Sequence, residues 1–213
     1  MTKENLEHLE AIQDIRQMMK KSTRFLSLSG LSGVFAGIYA LIGAYVAKEY
    51  ALHLLRSNRT SETSALIPMS NQIYFNFILI AVSIVTLSVI SAYFFSSRKA
   101  KKSGQKLFDH TAIRVLINLA IPLLAGGIFC IALLYYDIIA LIAPAMLLFY
   151  GLALINASKY TYDDIRYLGL CEVVLGLINA FNLNGGFVYW SLGFGVLHIV
   201  YGATMWYKYE RKG

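Results

Sequence analysis

Charge is scarce in this sequence. Only 15% of its 213 residues are Asp, Glu, Lys or Arg, against 57% hydrophobic, which is too little polar material to cover a soluble globule of that size. Cysteine is nearly absent as well. Cys130 and Cys171 are the only two, late in one apolar run and early in another, so their depths differ by roughly half a membrane, beyond disulfide reach. They read as small buried apolar residues. The polar segments hold neither a phosphate-binding glycine loop nor a dinucleotide fingerprint. No lysine lies deep in an apolar run, which excludes a retinal Schiff base. One histidine and one glutamate at such depth are too few for a zinc site, and a lone histidine offers a single axial haem ligand. No metal or cofactor is expected.

What the chain does have is long apolar runs. Each is about the length that crosses a ~30 Å hydrocarbon core at ~1.5 Å per residue. They fall near 25–48, 72–96, 111–136, 137–157, 164–182 and 186–209, predicting an all-α polytopic membrane protein with six transmembrane helices. Residues 1–21 mix charges of both signs and lack the pattern of a signal peptide, so no cleavage is expected. The net charge of +7 sorts by side. Counted along the chain, 16 of the 19 basic residues lie in the N-terminal arm, the second and fourth loops and the tail, against Lys48, Arg56 and Arg59 opposite. This positive-inside pattern predicts both termini in the cytoplasm. The lysine-rich second loop is expected to meet anionic lipid headgroups, not nucleic acid.

The organisation is thus a cytoplasmic arm at 1–24, a membrane domain at 25–209 and a cytoplasmic tail at 210–213. In the arm, Leu9, Ile12, Ile15 and Met19 share one face, predicting an amphipathic helix lying in the interface or packed on the helix ends. The first external loop ends at Pro68 and contains the formal sequon Asn58-Arg59-Thr60. The last two external connections are short, predicting antiparallel neighbours for spans three and four and for five and six. Pro122 and Pro144 predict kinks in spans three and four. Small residues on span one, including Gly33 and Gly37, predict close helix packing, within the chain or with a second copy. Short strings such as ALIGA at 40–44 and ALINA at 153–157 are too slight to establish an inverted repeat.

One acidic residue sits well inside a span: Glu172. On span six, Tyr189 and Trp190 mark one interface and Trp206, Tyr207 and Tyr209 the other, so His198, eight residues from each tryptophan, lies near mid-depth. Depth counting puts Glu172 level with Tyr201 and about one turn from His198. Glu172, Gly176 and Asn179 share one helical face; His198, Tyr201 and Gly202 share another. A carboxylate in hydrocarbon costs on the order of 3 kcal/mol or more, so Glu172 is cheapest protonated, donating to His198 or Tyr201. Such a cluster suits a small transporter, permease or pore-like protein, proton-linked, carrying a small molecule or ion. Its structural counterpart is an interhelical hydrogen bond worth ~1 kcal/mol. A non-catalytic sensor or scaffold contacting lipid or a cytoplasmic partner is the alternative reading.

An intramembrane hydrolase is more remote. Gly30-Leu31-Ser32-Gly33 spells the GxSG string of six-span rhomboid proteases, and His198 lies on the last span as their base does. Ser32, however, is on the first span near the cytoplasmic Arg24, the spacing after His198 differs, and no Trp-Arg pair occurs in the first external loop. The stretches RFLSLSGLSGVFAGIYALIGAY, FYGLALINASKYTYDDIRYLGLCEVVLGL and GFGVLHIVYGATMWYKYER resemble a group of small bacterial inner-membrane proteins with six predicted helices and no assigned activity. That resemblance implies a topology and a bacterial inner-membrane location.

Overall fold

A computed structural model describes residues 25–59, 71–104 and 107–211. The amphipathic arm at 1–24, Pro68 and the Thr60 end of the sequon lie outside these residues. The described residues form six helices: α1 (Gly30–Arg59), α2 (Asn71–Lys102), α3 (His110–Tyr135), α4 (Ile142–Ala157), α5 (Asp164–Phe181) and α6. The last is composite: an α-helical start at Gly186–Trp190, a π-helical stretch at Ser191–Leu197 and an α-helical end at His198–Tyr209. Every helix except α5 is long and apolar enough to cross a membrane, α4 when taken with the 3-10 turns that extend it to Ile139–Tyr160. Helix α5 has 18 residues, among them Asp164, Arg166 and Glu172.

Several boundaries differ from the sequence expectation. Residues 25–29 are not helical, because their backbone groups bond across to the α4–α5 connector and to Lys99. Helix α1 then runs on to Arg59, consuming about half of the predicted external loop. Pro122 lies inside α3 as expected. Pro144 instead occupies the first turn of α4, where a missing N–H leaves no intrahelical bond unmade. At the end of α3, Asp137 adopts a left-handed conformation with φ 57°. The Ile138 N–H reaches Leu133 O at 2.8 Å and the Asp137 N–H reaches Leu134 O at 3.1 Å, which stops the helix and turns the chain.

The helices pack in a row: α2 on α1, α1 on α6, α6 on α5 and on the start of α4, α5 on α4, and α4 on α3. The two most extensive contacts are α1 on α6 and α4 on α5. Helices α2 and α3 stand at the margins with most side chains outward, including Val85, Ile90, Ile117, Leu124 and Ile128. A surface this apolar requires lipid as its solvent.

Two backbone-to-backbone crossings hold the row together. At α1–α6, a Cβ on Gly33 would lie 3.2 Å from Gly202 Cα, and one on Gly37 would lie 2.6 Å from Gly195 O. At α4–α5, a Cβ on Gly151 would lie 2.6 Å from Gly169 O, and the reverse distance is 2.7 Å. With lipid on all sides, helices gain nothing by hiding apolar surface from one another, so contact this close supplies the dispersion that holds them. The glycine face of α1 is filled by α6 of the same chain, so it is not free to receive a second copy.

Gly202 tests this packing. A Cβ there would lie 2.6 Å from Val34 N and 2.7 Å from Gly30 O, so Gly202→Val should lower stability by about 1–3 kcal/mol or prevent assembly. Gly127 on α3 meets nothing within 4 Å, so Gly127→Ala should raise stability by ~0.5–1 kcal/mol. Thermal unfolding in detergent micelles checks both signs.

Candidate functional site

Helix α5 buries one stripe: Ile165, Leu168, Gly169, Glu172, Gly176 and Asn179. The spacing of three and four residues places all six on one face. The glycines let α4 approach: Gly169 meets Gly151, while Gly176 receives Leu147 and Leu148. Glu172 and Asn179, both 0% exposed, are therefore carried into the apolar interior between α4, α5 and α6.

His198 comes to this interior from α6, just after the π-helical stretch. Its Nδ1 lies 3.0 Å from Gly193 O, and its Nε2 lies 2.7 Å from the Tyr150 hydroxyl. A carbonyl oxygen only accepts, so Nδ1 carries the hydrogen of that bond. In the neutral ring Nε2 is then the acceptor, and Tyr150 donates to it. Tyr150 also packs its ring against His198 and Phe194, with centroids 5.3 and 5.0 Å away, and Trp190 continues the stack at 4.9 Å from Phe194. The imidazole is thereby fixed at both nitrogens and across its face.

Glu172 Oε1 lies 3.5 Å from His198 Nδ1. That is ion-pair distance but long for a hydrogen bond, and the Nδ1 hydrogen is already directed to Gly193. Neither Glu172 oxygen, and neither polar atom of the Asn179 side chain, has a hydrogen-bond partner among the described residues. Gly193 leaves room for the carboxyl, since a Cβ there would collide with Glu172 Oε2 and Leu147.

The expected grouping of Glu172, His198 and Tyr201 is thus met only for the first two. The Tyr201 hydroxyl lies 3.6 Å from Cys171 Sγ, one residue and about 100° around α5 from Glu172. On α6 the buried face runs His198, Gly202, Met205, and Tyr201 falls to its side. Tyr150 on α4 takes the place beside His198, and sequence reasoning missed it. A signal was present, because Tyr150 and Asn156 are the only polar side chains of α4. The hydrolase pairing does not form: the Ser32 hydroxyl donates to Ser29 O at 2.6 Å, and the His198 nitrogens are occupied by Tyr150 and Gly193. A shallow apolar groove lined by Leu170, Cys171, Val174, Leu175 and Leu197 lies beside the cluster without reaching Glu172.

A second polar cluster lies at the end where α2 and α6 finish and α1 and α5 begin. Glu210 accepts from the Gly30 N–H at 2.6 Å and from the Ser29 hydroxyl at 2.9 Å, capping α1 from the far end of the chain. Lys99 lies 3.4 Å from Glu210, donates to Leu28 O at 2.7 Å and bonds the Tyr162 hydroxyl at 3.1 Å. Tyr162 in turn donates to Leu26 O at 2.6 Å. Burial, and next the Glu210 carboxylate, push the Tyr162 phenol up to about 12, so it stays a donor at neutral pH. Thr161 donates to Phe25 O at 2.8 Å. The segment read as a tail at 210–213 therefore begins with a residue built into the bundle. At the opposite end Tyr74 donates to Asp137 at 2.6 Å.

Three substitutions probe these clusters, the last as a control. Tyr150→Phe should cost about 1–3 kcal/mol by leaving Nε2 buried without its donor, and nitrogen NMR of His198 should show the changed ring environment. Glu210→Ala removes a helix cap and the Lys99 partner and should cost ~1–2 kcal/mol, whereas Lys208→Ala, at a side chain 55% exposed, should change stability by under ~0.5 kcal/mol. Chemical denaturation in micelles reads both. Comparison with known family models, curated proteins and solved structures finds no match for this chain.

Proposed function

We propose that this chain is a small proton-linked transporter or permease of the bacterial inner membrane, in which Glu172 takes up and releases the proton. Six spans with both termini cytoplasmic are part of the same reading. They are supported by the basic residues gathered at one end and by α5 being long enough, at about 27 Å, to follow its neighbours across. The polar end cluster of Glu210 and Lys99 is then cytoplasmic.

One observation carries the functional reading: Glu172 is wholly buried and makes no hydrogen bond among the described residues. A carboxyl retained only to tie α5 to α6 would bond across the interface, and this one does not. An ionised carboxylate there would cost several kcal/mol for want of donors, whereas the protonated form needs a single acceptor. Its stability therefore depends on which protonation state it holds and on which groups turn toward it. The His198 Nδ1–H, 3.5 Å away and directed to Gly193 O, is the donor nearest to Glu172 once the carboxyl has released its proton. The π-helical stretch just before His198 is the kind of local distortion that accumulates at functional sites. A coupled transporter must close its midplane site from both sides during its cycle, and burial of Glu172 suits such an occluded state.

The test is proton uptake into liposomes loaded with a pH-sensitive dye and driven by a potassium diffusion potential. Wild-type protein should acidify the lumen faster than empty liposomes, and Glu172→Gln should return the rate to that background while melting within about 1 kcal/mol of wild type. Equal rates for the two proteins would overturn the reading in favour of a scaffold.

A further inference from the structure

Asn179 and Glu172 are two buried, unpartnered polar side chains on the same face of α5. Seven residues separate them, which is two turns or about 10 Å along the helix. Asn179 is the nearer to the turn between α5 and α6, where Asn182 and the short helix Leu183–Gly185 follow. Two orphan polar groups in one interior stripe are costly individually. What lies between them is apolar.

That intervening residue is Leu147 of α4, which is 0% exposed. Its Cβ sits where a Cβ on Gly176 would meet it at 3.1 Å, and its Cδ2 sits against Gly193, beside Glu172 Oε2. Gly176 is one turn from Glu172 on the side toward Asn179. The leucine side chain therefore spans from α5 to α6 at the level between the two polar groups. Pro144, also buried, lies one turn before Leu147 in the first turn of α4, and the helix begins there from a 3-10 segment at Ile139–Leu141.

We propose that Leu147 is a hydrophobic gate between Asn179 and Glu172, closing a path for water and protons that enters beside the α5–α6 turn. The proposal rests on the proton-linked reading of Glu172, but its first test does not. An apolar constriction excludes water because no polar wall replaces the hydrogen bonds that water loses there. Asn179 offers a donor pair and an acceptor on the entry side, and the protonated Glu172 carboxyl offers one O–H donor with its remaining acceptor capacity on the inner side. Displacing or shortening Leu147 joins them.

The experiment uses full-length protein with Cys130→Ala, Cys171→Ala and Glu172→Cys, exposed to silver ion and then unfolded to count the thiols left for maleimide. Silver ion is about as small as a water molecule; it replaces the thiol proton on binding and so reports access without requiring that the protein transport protons. With Leu147 present, reaction at the introduced thiol should be slow; adding Leu147→Ala should speed it by about tenfold or more, and Leu147→Phe should not. If Leu147→Ala fails to assemble, Leu147→Val should give an intermediate acceleration. Equal silver rates with leucine, alanine and valine in folded protein would overturn the gate. In the native-cysteine chain, Leu147→Ala should also raise dye-reported proton uptake, and the added Glu172→Gln should abolish the rise. Faster silver access without faster proton uptake would uphold the gate and overturn the proton-linked reading.

Discussion

Close approach of backbones at glycine is the constraint on which the arrangement depends. In hydrocarbon the helices have no apolar surface to hide from water, so only dispersion and polar ties favour contact between them. Gly33, Gly37, Gly195 and Gly202 bring α1 and α6 together; Gly151 and Gly169 do the same for α4 and α5. Because α4 and α5 touch at their backbones, Leu147 and Glu172 must share the narrow space that α6 closes. Gly193 answers that crowding by omitting a side chain. The interior site is a product of these crossings, since none of its members lies beside another in sequence.

The two polar clusters differ in a way that suits different jobs. At the helix ends, Glu210 and Lys99 are partnered with backbone and side-chain groups from several elements. Such a network fixes geometry and gains from low dielectric only because its members are satisfied. In the interior, His198 is equally well fixed, yet Glu172 and Asn179 are not. The same low dielectric makes an unpaired group costly, so the interior is where a change of protonation or of packing has the largest effect.

Much of this was legible in the sequence, for reasons that can be named. Glu172 stands out because a carboxyl in an apolar run has a large solvation cost, and Asn179 follows from it by helical period. The paired glycines of α1 are likewise visible as a pattern of small residues. Tyr150 carried a weaker signal, as one of two polar side chains on α4, since tyrosine is common in membrane helices and its depth on α4 depends on the 3-10 start at Ile139–Leu141. The π-helical stretch at Ser191–Leu197 departs from the 3.6-residue period that any phase count along α6 assumes. The side of α6 on which Tyr201 falls depends on how α5 and α6 face each other, which periodicity within one helix does not supply. The role of Glu210 depends on a contact across 180 residues, which no local pattern encodes. The non-helical stretch at 25–29 escaped for the same reason, because its partners lie on α2 and on the α4–α5 connector.

The Glu210 cap also has a meaning in time. Gly30 opens α1, but the carboxylate that accepts its N–H lies 180 residues further along. At translation rates of about 5–20 residues per second, the ribosome needs roughly 10–40 seconds to cover that interval. Throughout it, the opening turn of α1 lacks the carboxylate that accepts its N–H. Arrival of the last helix supplies both the carboxylate and the glycine face that α1 packs on. Final assembly is therefore tied to completion of the sixth helix, and a nascent chain halted earlier leaves α1 without the partner its glycine face was shaped to meet.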